Sequence, residues 1–444
     1  MSNNLIFFIM KRIYKISAVV VIMMAITIQF SRAGAPGIPW EDFQDPQKLT
    51  TVKGIVVDTE TGVPLIFATV ALQNSNVATV TNLDGEFLLK IDKEAVNPNI
   101  EITYIGYNNK VIPLSDLRLD GRDNRLELTQ ATIPIREVVI RPIKPEEIIN
   151  TVIRSISKNY TDVPNLMTSF YRETIRRNRN YVSIAEAVVE ILKAPYSNEF
   201  RFDMSRVYKG RKNVEVSRLD TVLFKLQGGP VSTLQLDLIK NPYTILTYDA
   251  MKSYNYKLES IIVIDDRLHY VIEFYQKPEV DTPMFLGKLF VDIDTYALTE
   301  AEFSINLDDV EKASEIFIRK KPLGMKVTPE MASYRVKFRE QDGKWYFAYG
   351  RAEVRFKCDW QKKLFNTSYT TMSEIAVTDR TEEEVIKFAS QERIRRGDIF
   401  IEKLSAFADP DFWGDYNVIE PDQSIESAIR RLSRRLRFSD REGE

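Results

Sequence analysis

Histidine and cysteine are the side chains that most often hold a metal or act as a nucleophile's partner. Each occurs once, as His269 and Cys358. One histidine cannot supply the two-histidine-plus-glutamate set of a zinc hydrolase. One cysteine cannot build a multi-cysteine metal site or an internal disulfide. A Ser-His-Asp or Cys-His pair would have to use His269, which lies mid-strand in pattern, and no Gly-x-Ser-x-Gly elbow is present. His269 therefore reads as a structural strand residue. Cys358 stands between Lys357 and Asp359, near Trp360. Lys357 would lower its pKa modestly, but a strand cysteine without a role is the expectation. Carboxylates are abundant. Asp292 and Asp294, and Glu300 and Glu302, each share a face if their strands continue, which is the minimum for glycoside hydrolysis. Solvated strand faces and turn caps give the same spacing. Asp265-Asp266 and Asn82 with Asp84 could touch calcium, yet neither approaches a full oxygen cage, and both fit turns. No phosphate loop or dinucleotide fingerprint occurs. These residues assign no catalytic, cofactor-binding or metal-binding role, and no cofactor.

The elements around them are mostly strands. From Val52 to about Leu117 the chain alternates and turns at intervals of roughly ten residues, the pattern of a β-sandwich. Gly54-Ile55-Val56-Val57-Asp58 predicts a strand ending at Thr61-Gly62, and Pro64 to Val70 predicts a second. Val77 to Thr81 leads into Asn82-Leu83-Asp84-Gly85, a turn that needs positive φ. Phe87, Leu89 and Ile91 alternate with polar neighbours, as do Ile100, Ile102 and Tyr104.

These residues also carry a family likeness. Gly54 to Asp58, Thr61-Gly62-Val63-Pro64-Leu65, Ala68-Thr69-Val70, Thr81 to Phe87 and Tyr104-Ile105-Gly106-Tyr107 together resemble the carboxypeptidase-like regulatory domain of Bacteroidota envelope proteins. The resemblance implies a prealbumin-like, seven-stranded sandwich. It implies no peptidase activity, since that domain is an accessory beside a catalytic one, and the single histidine excludes the zinc carboxypeptidase reaction. Ile135 to Ile140 resembles the segment that follows this domain in TonB-dependent receptors, but too little chain remains for a receptor barrel.

Pro145, Glu146 and Glu147 suit a first helical turn. Ile149, Val152, Ile153, Ile156 and Tyr160 then repeat at helical spacing until Pro164. From Leu166 to Val377 alternating strands joined by short turns predict an antiparallel meander with one packed face. Within it, Gly287, Asp292, Asp294 and Ala297 resemble a motif of periplasmic lipoprotein carriers. That likeness implies a strongly curved sheet wrapped on a helix around an apolar cavity; a plain curved sheet is the competing reading. Thr381-Glu382-Glu383-Glu384 predicts a capping box opening a helix through Phe388 to about Arg396. Pro410 to Asn417 reads as an aromatic loop tucked on the body. Pro421 and Asp422 open a last helix, with Ile425, Ala428, Ile429, Leu432 and Leu436 on one face and Arg430, Arg431, Arg434, Arg435 and Arg437 around it.

The division expected is 1–33 signal peptide, 34–50 linker, 51–130 sandwich, 131–165 linker strand and helix, 166–377 curved antiparallel β domain, and 378–444 C-terminal helices. The signal peptide rests on Lys11, Arg12 and Lys15 before an apolar run from Ile16 to about Phe30 and a Ser31-Arg32-Ala33 cleavage site. Met10 makes a more usual start than Met1. The run is short for a spanning anchor, and no cysteine follows it, which closes the lipoprotein route. With 444 residues, 44% of them hydrophobic, the chain can build two or three cores. A net charge of −2 gives no field toward nucleic acid. The fold class is mainly β. The function expected is a non-enzymatic exported binding or assembly module of the periplasm or outer membrane, with the sandwich making protein contacts. The alternatives are a carboxylate-based glycan hydrolase and a lipid or lipoprotein carrier. The partners expected are an envelope protein, or a lipid or glycan ligand, with peripheral membrane contact through the basic last helix.

Overall fold

The computed structural model describes residues 49–95, 98–132, 143–197, 202–214, 226–241, 245–318, 324–360, 366–383, 385–406 and 412–430. The leader at 1–33, the strand at Ile135 to Ile140, and Arg431 to Arg437 of the last helix lie outside them.

Seven strands form the sandwich: β1 (Leu49–Asp58), β2 (Thr69–Leu72), β3 (Ala78–Val80), β4 (Glu86–Asp92), β5 (Asn99–Thr103), β6 (Lys110–Pro113) and β7 (Asn124–Leu128). One sheet runs β4-β1-β7 and the other β3-β2-β5-β6. Val52, Val56, Phe87, Leu89 and Leu126 of the first face Val70, Ile100 and Ile102 of the second. The expected turn is present: Gly85 has φ +77, and a Cβ there would meet Val56 O at 2.9 Å. The second strand starts later than expected. Pro64 has no N–H and makes only an isolated bridge to Val57, and Phe67 stands at φ +62. Pairing therefore begins at Thr69.

Helix α1 (Pro145–Asn159) begins at the predicted proline. The larger body is an antiparallel sheet of ten strands: β8 (Asn165–Arg177), β9 (Asn180–Lys193), β10 (Met204–Val214), β11 (Tyr254–Ile264), β12 (Arg267–Gln276), β13 (Phe285–Asp292), β14 (Leu298–Ile305), β15 (Met325–Gln341), β16 (Lys344–Trp360) and β17 (Thr367–Thr381). Their order is β11-β12-β13-β14-β15-β16-β17-β8-β9-β10, and the two-residue β18 (Ser405–Ala406) adds in parallel beyond β10. Bulges, for example at Leu258/Ser260 and Val377/Asp379, bend the long strands.

The strands alternate between two faces. On one, Tyr171, Ala187, Phe274, Leu289, Ala301, Val336 and Ile375 pack against Ile148, Ile149 and Val152 of α1 and against Val231, Leu234, Leu238 and Ile245. The chain's own side chains fill this face. Asp265 and Asp266, both at positive φ, form the two-residue turn between β11 and β12. Gly287 sits where a Cβ would meet Glu302 O at 2.1 Å, so close strand approach explains that motif glycine.

The helix expected from Thr381 to Arg396 is not formed. Thr381 Oγ1 accepts from Glu383 N (3.1 Å) in a local turn, and residues 385–396 run as an irregular strap. Ile394 N donates to Ser205 O of β10 (2.8 Å), and Phe388 and Ile394 are buried. Arg206 covers the Phe388 ring at 4.6 Å. Tertiary anchoring at these points outweighs the local helix signal. The last helix is present over 423–430, capped by Asp422 Oδ1, which accepts from Ile425 N (2.8 Å). No helix among the described residues is long and apolar enough to cross a membrane.

Candidate functional site

The second face of the large sheet carries charge. Register places one charged residue from each of the ten antiparallel strands on a single line across it. The line runs Arg211, Glu186, Arg172, Glu374, Arg351, Arg335, Glu302, Lys288, Glu273 and Lys257, each opposite the next. At the centre the pairs are buried. Arg172 Nε donates to Glu186 Oε1 (2.8 Å), Nη1 to Glu374 Oε1 (3.1 Å) and Nη2 to Ile419 O (2.8 Å). Arg211 donates to Glu186 Oε2 (2.9 Å) and Arg351 to Glu374 Oε2 (3.1 Å). Burial alone would push Glu186 up, but Arg172 and Arg211 overcome it and hold the carboxyl below its usual range. The β11 end is solvated, where Lys257 and Glu273 stand 3.9 Å apart.

Charges alternate along the line except at Arg351 opposite Arg335. Like charges directly opposite on a sheet repel. Phe67 of the sandwich occupies this step: its ring lies 5.1 Å from the Arg351 guanidinium and 5.4 Å from that of Arg335. The negative ring face attracts both cations. Lys337 Nζ donates to Phe67 O (3.0 Å), and the Tyr349 ring lies tilted against Phe67 at 5.6 Å. Val80, Phe170, Ala376, Val418 and Ile419 complete the apolar contact around the ring. Burial lowers the Lys337 pKa, and Glu300 offsets this only in part. Burial raises Glu300 against the pull of Lys337 and Arg335. Among the described residues Arg335 Nη1 and Glu300 Oε1 make no hydrogen bond, although Glu300 Oε1 is ion-paired with Arg335 Nε at 3.5 Å. Beside the ring is a cavity of about 110 Å³, bordered by Arg172, Thr174, Arg176, Arg351 and Glu374.

Other contacts tie the two bodies together. Gly106 N donates to Val263 O (2.8 Å) and Asn109 N to Asp266 Oδ1 (3.0 Å). The aromatic loop is tucked in as expected: Trp413 meets Phe170 edge-on at 5.6 Å, and Asn417 Oδ1 accepts from Lys90 N (2.7 Å) on β4.

The residues singled out in the sequence have structural employment. His269 is buried, its Nδ1–H donating to Arg267 O (2.9 Å), and burial lowers its pKa. The Cys358 thiol is pushed up to about 11 by burial, so the lowering expected from Lys357 is not found. Asp292 caps a turn, accepting from Asp294 N and Thr295 N, and pairs with Arg267 at 2.7 Å. Asn82 Oδ1 accepts from Asp84 N and Glu86 N (both 2.9 Å). Glu300 and Glu302 do reach the charged line, where Arg335 and Lys337 neutralise them. Among the described residues no three metal-ligating side chains converge. Sequence reasoning missed Phe67, Arg172, Glu186, Arg351 and Glu374. The available signal was a charged residue within every long strand.

The class these features define is a mainly β protein in which a seven-stranded sandwich is clasped to a bulged antiparallel sheet. The sandwich itself is a CarboxypepD_reg-like domain, whose family model matches residues 52–140. No curated protein matches the chain. Among solved structures it is similar to a DUF1329 family protein from Desulfovibrio piger, at 11% identity and a TM-score of 0.25, covering 55% of this chain and 96% of that one. It is also similar to a putative outer membrane lipoprotein-sorting protein domain from Vibrio parahaemolyticus, at 9% and 0.24, covering 55% and 95%. A putative membrane-associated protein of unknown function from Bacteroides fragilis follows at 9% and 0.15, covering 74% and 97%. Scores of this size transfer neither fold nor role.

Proposed function

We propose that this chain is an exported, non-catalytic binding and assembly module of the cell envelope, with the CarboxypepD_reg-like sandwich presenting itself to a protein partner. The observation that carries the reading is an open sheet edge on a firmly held domain. β6 is the terminal strand of its sheet, and Val111 on it is 44% exposed. An unpaired edge can accept an extended segment through main-chain hydrogen bonds. The carboxylates that a glycan hydrolase would need are engaged: Asp292 in a turn and with Arg267, Glu300 and Glu302 with Arg335 and Lys337. A lipid carrier would have to vacate the face now filled by α1 and by residues 230–241 and 245–246. Export rests on the leader pattern before Ala33.

The test is a photocrosslinking side chain at Val111, with Tyr275 on the large sheet as the control position. One discrete protein adduct from Val111 and none from Tyr275 is the expected result. Turnover of an envelope glycan by purified protein, abolished by one carboxylate substitution, would overturn the reading.

A further inference from the structure

Even where the charged face meets water, its cations are matched. At the β11 side Lys257 stands 3.9 Å from Glu273, and Lys288 pairs with Glu259 at 2.7 Å. One end of the long strands departs from this pattern. Strand alternation carries the face from Arg351 and Glu353 out to Arg355 and Lys357 on β16, and from Arg172 out to Arg176 on β8. Register lines up Arg176, Thr370 and Arg355 across β8, β17 and β16. The β8–β9 turn adds Arg177 and Arg179. It is held by Asn178, whose N donates to Ser368 O (2.7 Å) and whose Oδ1 accepts from Ser368 N (3.0 Å), and Ser368 lies opposite Lys357. Lys326 of β15 faces Asp359. Six cations thus share this end with three carboxylates, Glu330, Glu353 and Asp359. Arg176 pairs with Glu353 at 3.5 Å. Among the described residues Arg177, Arg179, Lys326, Arg355 and Lys357 make no ion pair, and Arg179, Lys326, Arg355 and Lys357 are exposed. Like charges gathered without partners repel, and an anionic surface relieves that repulsion.

We propose that this end of the sheet docks on an anionic lipid bilayer, with headgroup phosphates as counter-ions to its cations. The surface is separate from the β6 edge, so it adds a membrane contact to the binding-module reading. Charge complementarity selects an anionic occupant, and breadth selects a plane of headgroups. The cations spread from β8 to β15, about 14 Å at ordinary strand spacing, instead of converging on one ligand-sized point. The sequence of the two connectors that join these strand ends to the chain, 319–323 and 361–365, has five more cations, no carboxylate, and Leu323, Leu364 and Phe365. Cations beside apolar side chains are the composition that settles at a bilayer interface. The last helix borders the same end, packing on Tyr181 and Ile184. Each cation brought to an anionic surface strengthens binding about fivefold, and the gain fades beyond a Debye length.

The experiment is vesicle co-sedimentation of the chain from Gly34 onward, the form left by leader cleavage. Vesicles of equimolar phosphatidylcholine and phosphatidylglycerol are compared with phosphatidylcholine alone. Wild type should bind the anionic vesicles at low salt and lose at least about tenfold in affinity at high salt. Arg355→Gln with Lys357→Gln, both exposed, should weaken binding at least about tenfold. Lys257→Gln with Lys288→Gln removes the same charge elsewhere on the face and should change it less than about twofold. Equal binding to the two kinds of vesicle, binding that ignores salt, or equal loss in the two double variants overturns the proposal. Binding to soluble polygalacturonate but not to the vesicles overturns it in favour of an acidic glycan. If the Arg355 and Lys357 double variant fails to fold, the lipid and salt comparisons on wild type decide. A discrete Val111 adduct beside absent vesicle binding removes this inference and leaves the binding-module reading standing.

Discussion

The two faces of the large sheet are built from the same strands by alternate residues, yet they reach their partners in opposite ways. One face is mainly apolar, and the chain fills it with the neighbouring α1 and residues 230–241 and 245–246. The other carries charge across all ten antiparallel strands and is covered near its middle by a domain that precedes it in the chain. Apolar packing tolerates many partners of about the right size. A buried line of charges accepts only a partner that matches its sequence of signs, and a single like-charge step fixes where that partner's ring must sit. The difference teaches that the first face supplies cohesion and the second supplies position.

The largest break in this contrast is removal of a central charge. Arg172→Met takes one of two cations from each of Glu186 and Glu374, both almost fully buried, leaving Arg211 and Arg351 as their remaining partners, and should cost about 3 kcal/mol in equilibrium denaturation. Replacing all three with apolar residues should recover part of that loss, because the desolvation of these ions disappears while Arg211 and Arg351 give up their partners Glu186 and Glu374. If the triple variant is as unstable as the single one, the charged line is a source of cohesion and the contrast fails. If it is stable but the sandwich amides exchange faster, the line is there for position.

The same contrast explains what the sequence disclosed. The apolar face was legible, because Phe274, Leu289 and Val336 mark it by simple alternation, and so were the sandwich strands and the Gly85 turn. The charged face looked like solvent-facing residues. Arg172 and Glu374 are 202 positions apart, and only the β17–β8 register brings them together; no local pattern encodes that pairing. Phe67 was read as one more strand residue, since nothing nearby announces a left-handed backbone. The strap at 385–396 misled in the same way: Thr381 to Glu384 satisfies a helix-opening pattern, and contacts to β10 decide otherwise.

Charge also enters the apolar face, where Lys193 pairs with Asp237 at 2.6 Å, and one such buried group, Glu173, sharpens the comparison. Glu173 is buried there, accepts from Tyr171 Oη (2.9 Å), and is raised by burial from 4.5 to about 8. Between those values the native protein holds a proton that the unfolded chain has released. Stability should therefore fall as pH rises from about 4.5 to 8, by up to about 1.4 kcal/mol per pH unit, and level off above. Glu173→Gln should flatten this dependence, with its greatest advantage over wild type above pH 8. Denaturant melts of both proteins from pH 5 to 9 measure it. A parallel pH profile for the two would mean that Glu173 is charged in the fold and that the apolar face is wetter than its packing indicates.

The smallest effect belongs at the solvated end of the charged line, where chemistry is unchanged and only burial differs. Lys257 and Glu273 are cross-strand partners like Arg172 and Glu186, but they stand 3.9 Å apart with side-chain exposures of 65% and 41%. Water screens such a pair, and holding two long side chains in one geometry costs entropy, so its coupling should lie below about 0.5 kcal/mol. A double-mutant cycle with Lys257→Ala and Glu273→Ala should return that value and lose it at high salt. The corresponding cycle at Arg172 and Glu186 should stay several times larger and resist salt. A solvated pair as strong as the central one would mean that alternating sign alone, without the sandwich lying over it, gives the line its strength. In that case Phe67 would be a passenger on an already rigid sheet, and the positioning role assigned to the charged face would pass to the apolar contacts of Val80, Val418 and Ile419.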